Sequence, residues 1–416
     1  MRSRSIGVTG FTAIALVAAM SSGVLAASGA SPSPTAAAAA SPAASGALSV
    51  DSFDASFGAM TQLAPVVSAG SGLVGVILPD TTTSARYTSY DLPYLKQAFQ
   101  AAGYADTDFK IDNAAGTATT QLALAQADIA AGAKVLIVDP LDSNTGNAVQ
   151  AAAAAAGIPM ISYDRATFQG KDTYYVSFDN VDVGKLIGQG FVQCVSDWGV
   201  SNPQVFVLDG GQDTDPNAID FAKGYNDAIW GQQVAQVAPG TTNNGLTLVD
   251  EQIAPGWDNA TGGTIFQQAY TAHPEINATV EANDGLAGAV ISDLKAAGVP
   301  AKTVPTTGQD ATLQGMEYVL QGWQCGSVYK PIYLEAQAAV ALASYLRAGQ
   351  QPPAALVNGT TTDPTDATVT QPAVLLTPMW VTPSNMAGTV IRDQFISQKD
   401  LCDAVGADVC SANGIG

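Results

Sequence analysis

The sequence predicts an α/β protein built of two doubly wound parallel-sheet units in succession. From Leu73 onward, short β-branched runs alternate with longer alanine-rich stretches of helical period, which is the pattern of βαβ units. The alternation restarts after residues 174–178, so about five strands fall in each half. The length of 416 residues is also too great for one ordinary domain and comfortable for two.

In the first unit, residues 74–78, 109–111, 135–138, 159–163 and 174–178 read as strands, being short, β-branched and apolar. Residues 92–102, 120–131 and 147–156 between them carry apolar positions at helical spacing. The second unit repeats this, with strands at 205–208, 246–249, 278–281 and 303–307 and helices at 183–195, 218–230, 262–272 and 286–297.

Ahead of both units, Arg2 and Arg4 precede an uncharged apolar stretch at 6–20, and Val24-Leu25-Ala26 supplies small residues for cleavage. Residues 1–26 are therefore expected to be a signal peptide. An uncleaved anchor is the competing reading, weakened by the Thr, Ser and Gly that dilute the apolar run. Residues 27–70 read as an Ala/Ser/Pro-rich linker, most extreme in composition up to about Ser49. The first cysteine is Cys194, so no lipid-anchored lipoprotein is expected.

Composition narrows the chemistry. Sixteen basic against 36 acidic residues give a net charge of −20, or −22 after loss of the signal, so a nucleic-acid partner is excluded. The single histidine, His273, follows a helix and precedes a strand, away from the strand ends that would form a site. Histidine-based catalysis and three-histidine or Cys/His metal sites are thereby disfavoured, and neither metal nor cofactor is expected. Gly184-Lys185 lacks the upstream glycine and following Ser/Thr of a nucleotide loop. Four cysteines in an exported chain suggest disulfides, with three possible connectivities. Cys402 with Cys410 is the easiest local pair and would leave Cys194 with Cys325, while buried free thiols are the alternative.

In open parallel sheets, ligands bind beyond the carboxyl ends of the strands. Here the strands end repeatedly in polar residues: Asp80, Asp139 and Asp164-Arg165 in the first unit, and Asp209, Asn283-Asp284 and Asp310 in the second. Helix capping accounts for such residues one at a time, but not for Arg165 or Lys330 beside them. Acids, amides, a few cations and aromatics without a nucleophile–histidine pair suit a neutral polyhydroxylated ligand. Its buried hydroxyls must regain hydrogen bonds, and its C–H face seeks an aromatic ring.

These elements resemble the type 1 periplasmic sugar-binding proteins of ATP-driven importers, most closely the D-xylose-binding branch. The resemblance rests on Ile161-Ser162-Tyr163-Asp164-Arg165, Val176-Ser177-Phe178-Asp179-Asn180, Ala282-Asn283-Asp284, Thr307-Gly308-Gln309-Asp310-Ala311 and Val328-Tyr329-Lys330-Pro331. It implies that Arg86, Tyr87, Asp164 and Arg165 contact sugar from one lobe, with Tyr87 standing where the family usually has Trp. Asp215, Asn217, Trp257, Asn283, Asp310 and Lys330 would contact it from the other. Pro216 departs from the family's pattern in the Asp215–Asn217 turn. A calcium reading of Asp213, Asp215 and Asn217 fails for want of the glycine and closing glutamate. As a cleft residue, Trp257 is expected to add little to either core.

The resemblance also implies an N-terminal lobe of 71–177 and 331–376, a C-terminal lobe of 178–330 and 377–400, and a disulfide-stapled tail at 401–416. Three crossings would form a hinge at Ser177, Asp179 and Asn180, at Pro331, and at Thr377. The function implied is an extracytoplasmic, monomeric, non-enzymatic receptor that captures a monosaccharide such as D-xylose. It would deliver the sugar to an ABC permease energised by a separate ATPase subunit. The alternatives are a sugar sensor presenting its closed form to a membrane kinase, or a glycoside-acting enzyme using paired acids such as Asp164 and Asp310.

Overall fold

Apolar strands of a parallel sheet need cover on both faces, and the chain supplies it twice. The computed structural model describes residues 48–84, 86–168 and 173–416. The expected signal peptide, and the linker as far as residue 47, lie outside the described residues.

Helix α1 (Ala64–Ala69) leads into β1 (Leu73–Leu78), α2 (Leu92–Ala102), β2 (Phe109–Asn113), α3 (Ala118–Ala130) and β3 (Ala133–Val138). There follow α4 (Ser143–Ala155), β4 (Met160–Tyr163) and β5 (Thr173–Phe178). The chain then enters α5 (Asn180–Asp197), β6 (Gln204–Gly211), α6 (Pro216–Trp230), β7 (Thr242–Asn243), β8 (Leu246–Pro255), α7 (Asn259–Ala272) and β9 (Ala278–Glu281). Helices α8 (Asp284–Ala296) and α9 (Leu313–Gln321) precede β10 (Ser327–Tyr329), and α10 (Ile332–Arg347) precedes the hairpin β11 (Gly359–Asp363) and β12 (Asp366–Leu376). Strand β13 (Met379–Val381), α11 (Gln398–Val405) and α12 (Ala407–Ala412) complete the described chain.

The first sheet has the order β11-β12-β5-β4-β3-β1-β2, parallel except for the edge strand β11. The second has the order β7-β8-β6-β9, and β10 pairs separately with β13. In each sheet the first strand, β1 or β6, lies between the second long strand and the third. The winding therefore reverses beside it, opening a crevice at the strand ends. Strands β5 and β12 lie side by side in the first sheet and are followed by α5 and by β13, while β10, the partner of β13, is followed by α10.

Where helices pack closely, glycine makes it possible. A Cβ at Gly184 would stand 2.0 Å from the carbonyl oxygen of Phe221, and one at Gly224 would stand 2.3 Å from that of Val181. Gly184 is thus part of the α5–α6 contact, a packing role rather than a phosphate-binding one.

Two expectations need correction. The linker does not extend to residue 70, because Phe53, Phe57, Met60, Leu63 and Val67 are buried in the first lobe's core. Their apolar side chains, spaced at turns of 3-10 and α-helix, outweigh the surrounding small residues. Residues 303–307 do not form a strand. Pro305 offers no N–H, and Thr307 donates its N–H to Glu281 Oε2 at 2.9 Å rather than to a neighbouring strand. The stapled tail from residue 401 packs on α9: α11 starts at Gln398, and Leu401, Cys410 and Ile415 are buried with Met316 and Val319 of that helix.

The cysteines pair as Cys194–Cys325, with Cα atoms 5.8 Å apart, and Cys402–Cys410, at 5.7 Å. His273 ends α7 with its side chain 43% exposed, 3.1 Å from Glu275.

Candidate functional site

The carboxyl ends of both sheets face one cavity, and all ten sequence-predicted contact residues line it. Arg86 and Tyr87 arrive on a single turn of π-helix after β1, and Asp164 and Arg165 on the loop after β4. From the second lobe, Asp215 and Asn217 open α6, Trp257 follows β8 and Asn283 opens α8. Asp310 ends the irregular segment after α8, and Lys330 follows β10. Asp164, Trp257 and Asp310 have positive φ (59°, 60° and 93°), a conformation that costs non-glycine residues free energy and concentrates at functional sites.

The cations are held by acids that the strand-end pattern did not reveal. Arg86 is 2% exposed and makes a two-pronged contact with Asp91, both N···O distances being 2.9 Å. It also donates to Asp164 Oδ1 at 2.6 Å and to Glu335 Oε2 of α10 at 2.8 Å. Burial opposes its charge, but Asp164, Asp91 and Glu335 more than compensate and hold the guanidinium firmly protonated. Burial likewise opposes ionisation of Asp164, yet Arg86, Lys330 and Arg165 keep its carboxyl below the usual range. Glu335 lies on the other side of this balance: its burial, together with Asp164 and Asp91, outweighs Arg86 and raises it to about 8. The six charged residues expected at the site are therefore joined by three more acids, Asp91 and Glu335 on Arg86 and Asp139 beside Arg165.

Lys330 bridges the two lobes' acids, 3.6 Å from Asp164 and 3.4 Å from Asp310. Arg165 donates to the carbonyls of Pro140 (3.2 Å) and Leu141 (2.9 Å) and to the Tyr87 hydroxyl (2.8 Å). Its guanidinium carbon lies 5.6 Å from the centre of the Tyr87 ring, within cation–π range.

Asp215 has two jobs. One oxygen caps α6 through the N–H groups of Asn217 and Ala218, and the other accepts from Trp257 Nε1 at 3.0 Å. Pro216 fits because the first helical position needs no N–H. The Trp257 ring lies flat on Gly210, where a Cβ would stand 1.9 Å from Cε3. It is also part of the second lobe's buried apolar cluster and only 8% exposed, so the expectation that it adds little to a core was wrong.

Capping explains some of the strand-end acids. Asp80 binds the N–H groups of Thr82 and Thr83, and Asn283 caps α8 while still facing the cavity. Asp284 is absorbed by Thr312, Gln324 and Ser327, and Asp209 by Tyr225. Four lining residues were not foreseen: Thr83, Ser84, Phe221 and Gln309. Gln309 was visible inside the Thr307–Ala311 motif, whereas Phe221 reads as an ordinary core position of α6.

The lobes touch across the cleft. Asn217 Nδ2 donates to the Asp164 carbonyl at 2.8 Å, Ser143 Oγ to the Thr214 carbonyl at 2.7 Å, and Ser84 Oγ approaches Asp310 at 3.4 Å. Tyr90, on the turn that carries Tyr87, stacks on Phe395 with ring centres 4.0 Å apart. The arrangement is a closed one.

The family model "Periplasmic binding protein domain" matches residues 74–351. The chain is 32% identical over 298 residues to the D-xylose-binding periplasmic protein of Escherichia coli, covering 70% of this chain and 82% of that one. It is 29% identical over 341 residues to the multiple sugar-binding periplasmic protein SbpA of Azospirillum brasilense, covering 80% and 92%. Among solved structures, a carbohydrate transporter solute-binding protein from Chloroflexus aurantiacus in complex with D-glucose superposes with a TM-score of 0.65. It is 25% identical and covers 79% of this chain and 98% of that one.

Proposed function

We propose that this chain, which belongs to the periplasmic binding protein family among the sugar-binding proteins of ABC import, captures an aldopentose of the D-xylose type between its lobes. The relatives bind sugars and are not enzymes, and this chain shares that character. One observation carries the finer reading. Side chains from seven separate segments, including both lobes, converge on a single cavity whose chemistry is carboxylate, amide, guanidinium, ammonium and aromatic ring.

Each part has a use. Asp164, Asp310 and Asn283 accept or donate to adjacent hydroxyls, Arg165 and Lys330 hold the buried acids ionised, and Trp257 and Tyr87 cover C–H faces. Sugar bound to both lobes favours the closed arrangement over an open one, and the hinge runs through Ser177, Asp179 and Asn180, Pro331, and Thr377. Asp179 supports this hinge by capping α5 while its N–H binds the Leu376 carbonyl on a second crossing. The closed monomer then presents its joined lobe surfaces to a permease whose ATPase is a separate subunit. Residues 1–26 direct the chain outside the cytoplasm. Among the described residues no helix is long and apolar enough to cross a membrane.

A thermal-shift panel of pentoses and hexoses tests the ligand class, since a ligand that binds only the folded state raises the melting temperature by mass action. D-xylose should give the largest shift. A hexose giving a larger shift refutes the pentose assignment, and turnover of aryl glycosides refutes the receptor.

A further inference from the structure

Among the strand-end acids, Asp139 alone has a carboxylate that accepts no hydrogen bond at either oxygen, and it does not line the cavity. It ends β3 beside the winding reversal of the first sheet and is 1% exposed. Both of its carboxylate oxygens lack a hydrogen-bond partner. Its main chain is pinned, the N–H donating to the Ile77 carbonyl and the carbonyl accepting from Gln121 Nε2 at 2.7 Å. The nearest cation is Arg165, whose Nε stands 3.9 Å from Asp139 Oδ1, about 1 Å beyond hydrogen-bond distance. Arg165 meanwhile commits its two Nη atoms to the Pro140 and Leu141 carbonyls and to Tyr87, so Nε is the nitrogen that faces Asp139. A buried carboxyl without a hydrogen bond is costly, and a shift of about 1 Å toward Arg165 Nε would supply one.

We propose that Asp139 is a positioning residue of the sugar site, which closes onto Nε of Arg165 when ligand fills the cavity and so fixes the guanidinium that faces the sugar. The proposal rests on the reading of the cavity as a sugar site. Asp139 touches no ligand and acts through Arg165.

A consequence for pH follows. Burial, with Asp164 and Asp91 adding to it, pushes the Asp139 carboxyl up, while Arg165 and Arg86 pull against the rise. Protonated Asp139 gives Arg165 no charged partner, and ionised Asp139 does. Sugar affinity should therefore rise with pH as this carboxyl ionises. The other groups facing it or Arg165 are Tyr87 and Asp215. Glu335, raised to about 8, contacts Arg86 rather than Arg165 and is the natural control.

Titration calorimetry from pH 5 to 9 with D-xylose, or whichever sugar in the panel binds the wild type, tests this in wild type, D139N and E335Q. D139N keeps the side chain's shape and should bind about tenfold more weakly at high pH, with a flat pH profile, while E335Q retains the wild-type slope. Equal affinity and slope in D139N, or a slope abolished by E335Q alone, overturns the proposal while leaving the sugar-site reading intact. A sugar-independent measurement stands beside it: the ¹⁵N resonance of Arg165 Nε should titrate with pH in the wild type and not in D139N. A resonance that ignores pH in the wild type overturns the pairing even if no sugar binds, an outcome that would separately refute the proposed function.

Discussion

Replacing Trp257 probes the site and the second lobe's core together. The indole rests on Gly210, packs edge-on to Phe221 with ring centres 6.2 Å apart, and donates to Asp215. Truncating a buried Trp to Ala costs ~3–5 kcal/mol, and one face opens on the cavity, so W257A should lose about 3 kcal/mol. W257F keeps most of the ring and loses the donor to a carboxylate, worth ~1.5–3 kcal/mol, so about 2 kcal/mol is expected. At ~2–4 °C per kcal/mol for a cooperative unit of 150–250 residues, the melting temperature should fall about 6–12 °C in W257A and about 4–8 °C in W257F. Loss of the aromatic platform should also weaken sugar binding about two- to tenfold in W257A, on the basis of ~0.5–1.5 kcal/mol per aromatic contact. Calorimetric scanning and titration of both variants provide the readings. A W257A protein that melts with the wild type would refute the double role, and a W257F protein that does so would refute the contribution of the Asp215 bond.

Four further outcomes follow from the geometry. G210A should displace the Trp257 ring and reproduce much of the W257A phenotype in titration calorimetry, since its Cβ would fall within 2.0 Å of two ring carbons. K330M should leave Asp164 and Asp310 facing each other without their shared cation. At ~3–5 kcal/mol for breaking a buried pair, it should lower affinity at least 100-fold, with small-angle scattering showing a more open particle. Removing Cys194–Cys325, which spans 131 residues, should cost about 5 kcal/mol in chemical denaturation, against about 2.5 kcal/mol for Cys402–Cys410, which spans 8. Burial raises Glu281 from 4.5 to about 8, so the folded chain holds a proton that the unfolded chain has released between those values. That stability is full below about pH 4.5 and is lost as pH rises through about 8. Asp284 and Glu251, each raised to about 7 chiefly by burial, act in the same direction. Melting temperature should therefore fall from pH 5 to 8, and less steeply in E281Q.

Strands β1 and β3 to β5 were legible as short, largely apolar runs bounded by polar or turn residues, and α2 because Leu95, Ala98, Phe99 and Ala102 mark one buried face. Helix α10 went unread for the opposite reason: from Ala336 to Ser344 it is buried all round, which removes the period that identifies a helix. The β11–β12 hairpin hides in a Thr-rich, largely exposed sequence whose pairing is decided by β5 beside it. At the site, residues that end strands were visible in order along the chain. Their partners Asp91 and Glu335 were not, because each sits within a helical turn and looks like a solvated acid until the fold buries it against Arg86. Capping and binding are also inseparable in sequence. Asp215 and Asn283 do one and face the cavity for the other, so neither interpretation alone is complete.

A receptor of the proposed kind takes one monosaccharide into the cavity between the lobes and returns it unchanged. Isothermal titration of the purified protein with D-xylose tests it most directly, paired with R165A and with chemical analysis of the recovered sugar. Expected are saturable binding of one sugar per chain, affinity lowered about 10- to 100-fold in R165A through loss of a buried charged donor at ~1.5–3 kcal/mol, and intact xylose afterwards. Binding unaffected by R165A, or recovery of a chemically altered sugar, would contradict it.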